Sequence, residues 1–74
     1  MEELLSPTEI VKKYSISYQT LNYYTNLGLL SVADKRGNKR MYDEKELINN
    51  LKQIQKLKKE GYPLRLIRKI LYKQ

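Results

Sequence analysis

Apolar residues recur along the chain at helical spacing in several blocks separated by Gly, Pro and Ser. In the first block Ile10, Val11 and Tyr14 fall on one face, and Lys12 and Lys13 lie off it. Ser6-Pro7-Thr8-Glu9 just ahead has the form of a capping box, with Pro7 preset to the φ of a first helical position. These signals predict a helix from Pro7 to about Tyr14. Ser15 and Ile16 interrupt it, and Ser17 offers a new N-cap. The second helix then turns Leu21, Tyr24 and, one turn on, Leu27 with Gly28 inward, and Tyr18, Gln19, Asn22, Tyr23 and Asn26 outward.

Gly28 is placed to close this helix with a left-handed cap, after which Leu29 to Ala33 can run extended. Gly37 and Asn38 tolerate the positive φ of a tight hairpin, so two short strands around them form a β-wing carrying Lys35, Arg36, Lys39 and Arg40. Asp43, with Glu46 three residues later, starts a third helix striped by Leu47, Leu51, Ile54 and Leu57 and stopped at Gly61. Pro63 restarts a short fourth helix with Leu64, Ile67, Ile70 and Leu71 inward and Arg65, Arg68, Lys69 and Lys73 outside. Two short helices joined by a tight turn have the spacing of a helix-turn-helix. The expected fold is therefore mostly α: a winged helix-turn-helix of four helices with a short two-stranded β-wing between helices 2 and 3. Residues 1–74 are expected to form a single domain, with no effector or dimerisation region.

Composition narrows the function. At 74 residues there is room for one modest core. Fifteen Lys and Arg against eight Asp and Glu leave a formal charge of +7, a field that attracts polyanions. An apolar fraction of 41% separates the chain from disordered basic tails. With no Cys and no His, thiolate and imidazole metal sites, disulfides and the common nucleophile arrangements are excluded. No enzyme activity and no cofactor are expected. Nothing approaches a membrane span, and the N-terminus is acidic where a secretory signal would be basic. A cytosolic protein is the default, with nucleic acid or an anionic membrane surface as the leading partners.

Gln19 and Asn22 carry amides able to read base edges. Ser17, Tyr18, Tyr23, Lys35, Arg36, Lys39 and Arg40 are candidates for the phosphate backbone. A solvated helix face and an edge-protecting hairpin are the bland alternatives, and placement of the hairpin just after a helix-turn-helix tips the balance to DNA. Lys56, Lys58, Lys59, Arg65, Arg68, Lys69 and Lys73 could form a second phosphate-binding edge or merely solvate an amphipathic pair of helices. Tyr14, Tyr24 and Tyr42 suit packing positions with local partners for their phenols. The carboxylates suit caps and i,i+4 pairs.

Ile16-Ser17 followed by Thr20-Leu21 and Tyr23-Tyr24, then Leu27-Gly28-Leu29-Leu30, resembles the recognition helix and its exit in the mercury-resistance regulator (MerR) family. Gly37-Asn38 and Arg40-Met41-Tyr42-Asp43 with Leu47 are similar to the family's wing and its lead-in to helix 3; Gly61-Tyr62 with Ile67 and Leu71 resembles its helix 4. The resemblance implies that helix 2 occupies the major groove and that the wing reaches flanking backbone. Helices 3 and 4 would make a second wing-like contact, for which Tyr62, Arg65 and Lys69 are the candidates. Carried over by position, Tyr23 and Arg40 would be DNA contacts. Two positions depart: family members usually have Arg in place of Asn22 and often an acidic residue in place of Thr25. Family regulators continue into a long dimerising helix and an effector-binding region, so a monomer is expected here and a dimer only where such a helix follows.

The resemblance implies a transcriptional regulator with sequence-preferring binding to double-stranded DNA, in the cytoplasm at the bacterial nucleoid and with no membrane partner. An excisionase-like architectural accessory is the nearest rival. A protein-interaction module docking a partner through Leu66, Tyr62 and Tyr72 is another, with charge placement against it.

Overall fold

A computed structural model describes residues 3–72. Its elements are β1 (Leu4–Leu5), α1 (Pro7–Tyr14), α2 (Tyr18–Asn26), β2 (Asp34–Arg36), β3 (Lys39–Asp43), α3 (Glu44–Lys59) and α4 (Leu64–Leu71). The capping box at Ser6 forms as expected: Glu9 N donates to the Ser6 hydroxyl at 3.3 Å and Ser6 N to the Glu9 carboxylate at 2.8 Å. Ser17 and Asp43 cap α2 and α3 by accepting from the amides of Thr20 and Glu46. Both α2 and α3 end in paired Schellman bonds: Leu29 N to Tyr24 O and Gly28 N to Thr25 O after the first, Tyr62 N to Leu57 O and Gly61 N to Lys58 O after the second. Gly28 has φ +84, a conformation that costs an L side chain strain.

The sheet has three strands rather than two. Leu4 and Leu5 pair antiparallel with Asp43 and Tyr42, making β3 the central strand in the order β1-β3-β2. The ladder on the other side begins only at Asp34, so no residue of the run expected to be extended, Leu29 to Ala33, lies in a strand: Leu29 and Leu30 are buried in a bend, and Ala33 only donates its amide to Met41 O. At the wing tip Arg36 pairs with Lys39 across Gly37-Asn38. Positive φ occurs at Gly37 (+62) and not at Asn38, the pattern of a type II′ turn.

Ile10, Leu21, Leu29, Leu30, Tyr42, Leu47, Ile54, Leu57 and Ile67 form one core that all four helices and β3 share. The stripe expected on α3 is thus buried or half-buried. Two positions expected inward are not. Leu27 is 37% exposed and Ile70 44%. Helical spacing defines a face but not its width: α4 is only 8 residues long, its core contact is centred on Ile67, and Ile70 falls with Leu66 on the uncovered side. Lys73 lies outside the described residues.

Buried polar groups are satisfied by long-range partners. The Tyr42 phenol bonds the Thr25 hydroxyl at 2.7 Å, tying β3 to α2, and Thr25 itself donates to Leu21 O. Tyr72, the C-cap of α4, donates to Leu29 O at 2.9 Å and accepts from the buried Asn50 amide at 3.0 Å. That engagement removes Tyr72 from any partner-docking surface. Tyr14 donates to the Glu44 carboxylate, which also takes Lys13 Nζ at 2.6 Å, locking α1 to the start of α3.

Candidate nucleic-acid interface

Helix α2 is capped at Ser17, closed at Gly28 and pinned through Leu21 and Thr25, which fixes the rotation of its outer face. Along one flank of that face run Tyr18, Asn22 and Asn26. They line a surface cleft of about 310 Å³ whose other wall is Pro7, Asn38 and Arg40. Alternation along a strand explains the placement of Arg40: it shares the side of β3 that carries Tyr42, whose phenol meets Thr25 of α2. Its cross-strand partner Lys35 stands on the same face.

Arg36 and Lys39 oppose each other on the opposite face of the ribbon, near the tip. Arg36 leans on Asp34 at 3.6 Å, and the Lys39 charge helps hold the exposed Glu9 carboxyl below its usual range, after the hydrogen bonds from Ser6. The four wing cations are thus split, two toward α2 and two away. Both cross-strand pairs set like charges against each other, an arrangement that destabilises the ribbon by itself.

On the opposite flank of α2 stand Tyr23 and Leu27. They line a larger groove of about 770 Å³ with Pro63, Leu64, Arg65, Leu66, Arg68 and Lys69 of α4 and its lead-in. Tyr23 is 54% exposed and Tyr18 57%, so neither phenol is a core group. Gln19 is exposed and falls, by helical periodicity, between the two flanks. Asn22, on the outward face, is half-buried where it lines the wing-side cleft. Arg65 and Lys69 join the groove, whereas Tyr62, 41% exposed, lines neither depression.

The basic cluster of α3 and α4 separates into three places. Arg65, Arg68 and Lys69 stand with Tyr23, Lys58 reaches the Tyr24 hydroxyl at 3.4 Å, and Lys56 and Lys59 lie on the outer side of α3.

The sequence profile of the MerR HTH family of regulatory proteins matches residues 5–74. The chain belongs to the MerR family. The fold agrees. The structure is similar to the crystal structure of a transcriptional regulator of the MerR family from Bacillus cereus, with a TM-score of 0.75 and 27% identity. That match covers 97% of this chain and 55% of the solved one, so this chain spans about half the relative's length. No curated protein sequence matches.

For this MerR-family domain the sequence alone undervalued three residues. Asn26, outward by periodicity, lines the cleft one turn beyond Asn22, and that spacing is the signal that points to it. Asn38 appeared only as a turn former, yet it walls the cleft. Arg68 sits over Gly28, so close that a Cβ there would stand 2.5 Å from its Nε, and nothing in the local sequence signals that contact. Among the described residues no helix is long and apolar enough to cross a membrane.

Proposed function

We propose that this chain binds double-stranded DNA as the winged helix-turn-helix domain of a transcriptional regulator, with residues 1–74 acting as a single unit. Helix α2 enters the major groove, where Gln19 and Asn22 contact base edges. Ser17, Tyr18, Tyr23, Lys35, Arg36, Lys39 and Arg40 engage the phosphate backbone, and Tyr62, Arg65 and Lys69 form a second flanking contact. The observation that carries this reading is the two-sided arrangement of α2: polar residues of its exposed face share a cleft with Arg40 on one flank, and Tyr23 shares a groove with Arg65 and Lys69 on the other. A helix lying in a groove meets a phosphate ridge on each side, and cations stand on both sides here. The domain acts by binding DNA in the cytoplasm at the nucleoid, as a monomer where no dimerising helix follows it and as a dimer where one does.

Selection of binding sites from random duplex, followed by titration at several salt concentrations, tests the proposal. Engagement of about four to six phosphates gives a log affinity against log salt slope of about −0.9 per phosphate. Arg40→Ala should weaken binding to all sequences, and Asn22→Ala should change the selected motif. Affinity that does not vary with salt, or wing and helix variants that bind like the parent, would overturn it.

A further inference from the structure

The outer side of α3 carries a cationic surface that the α2 interface does not use. Lys52, Gln55, Lys56 and Lys59 together line one open depression of about 510 Å³, with no acidic residue in its wall. Each of the three lysines is exposed, and none takes part in an ion pair among the described residues. Lys45 is exposed one heptad earlier and continues the stripe.

The direction of this face follows from what the rest of α3 touches. Ile54 is 1% exposed in the core, and Lys52 and Lys56 stand two residues before and after it, on the far side of the helix. Three sectors nearer the core are taken: Glu44 meets α1, Lys58 reaches Tyr24 of α2, and Asn50 meets Tyr72 at the end of α4. The stripe therefore points away from both flanks of α2. It is also costly for the isolated helix, because Lys52 and Lys56 are four apart and Lys56 and Lys59 three apart, spacings at which like charges repel.

We propose that this face binds the phosphate backbone of a second DNA duplex, so that one domain bridges two segments. The inference rests on the reading of α2 as the first duplex site. Charge complementarity selects the occupant, and so does length: from Lys52 to Lys59 a helix rises about 10 Å, the axial length of about three phosphates on one strand. Three contacts with backbone alone make the second association indifferent to sequence.

The test immobilises one short biotinylated duplex carrying the selected motif and measures capture of a second, fluorescent duplex of unrelated sequence, alongside anisotropy of the motif duplex alone. At protein concentrations that keep the motif duplex saturated at every salt used, wild-type protein should capture the second duplex with a log–log salt slope of about −2.7, for three phosphates. The triple variant Lys52→Gln, Lys56→Gln, Lys59→Gln should keep motif affinity within about two-fold and lose about ten-fold or more of the capture. Its circular dichroism and melting confirm that it is folded. A wing variant, Lys35→Gln with Arg40→Gln, should lose binding to the motif duplex. Normal motif binding without capture, or capture undiminished in the triple variant, would overturn bridging and leave the first site standing. Absence of motif binding by wild-type protein would instead overturn the first reading.

Discussion

Replacing Gly28 by Ala tests whether α2 closes through a left-handed cap. With φ at +84, a Cβ at this position takes up a left-handed conformation and would stand 2.5 Å from Arg68 Nε and 3.2 Å from Arg68 Cδ. The left-handed conformation costs an L residue about 1–2 kcal/mol, and the lower entropy of the unfolded Ala chain returns about 0.4–1 kcal/mol. The net loss is about 1 kcal/mol, a fall in Tm of about 4–8 °C for a domain of this size. The close contact with Arg68 adds little, because it falls on the far end of a flexible side chain that can rotate into the groove. Urea and thermal unfolding of Gly28→Ala, Arg68→Ala and the double variant measure both parts. The expected coupling between the two sites is below about 0.5 kcal/mol, while the cost of Gly28→Ala persists in either background. A Gly28→Ala protein as stable as its parent would refute the left-handed cap and, with it, the account of how α2 ends.

Other substitutions address the long-range polar contacts. Tyr72→Phe leaves the Asn50 amide and the Leu29 carbonyl short of a partner and should cost about 1–3 kcal/mol in urea unfolding; a neutral result would mean that water reaches both groups. The Glu44 carboxyl is held at about 2, well below its ordinary 4.5, first by the Lys13 ammonium and then by the Tyr14 phenol. Its folded value is depressed, so its contribution is complete above pH 4.5 and is lost as pH falls toward about 2. Glu44→Gln should therefore flatten the acid limb of a Tm against pH curve, and parallel curves for parent and variant across that window would rule the linkage out. Lys13 and Tyr14 are both shifted upward by the same carboxylate, so their contributions are complete below about pH 10 and fade above it.

What the sequence made legible was governed by near neighbours. Ser6, Ser17 and Asp43 act on amides three residues away, and the helix starts they mark are where they were expected. Gly37-Asn38 likewise specifies its own hairpin. Strand β1 escaped because two leucines carry no alternation to detect, and its pairing is with residues almost forty positions on. Leu27 and Ile70 were misplaced because periodicity locates an apolar stripe without saying how much of it a neighbour covers. The Glu44 cluster joins residues 30 and 31 apart, and Tyr72 reaches Leu29 across 43. In the candidate site, the side chains of α2 were legible, but which of them faces the wing and which faces α4 depends on the rotation that Thr25 and Tyr42 impose. The basic residues of α3 and α4, one cluster by composition, are dispersed by the turn at Gly61.

The central position of β3 bears on how the hairpin moves. Asp43 and Tyr42 at the base of β3 pair with β1, directly beside the ladder that joins Met41 to Asp34 of β2, while Lys39 and Arg36 at the tip have only one another. Amide deuteration should therefore proceed from the tip inward, and the ribbon should flex as a cantilever clamped at its base. Arg40 sits between these regimes: close enough to the clamp to hold a fixed bearing toward α2, and far enough along to follow a ridge of varying height.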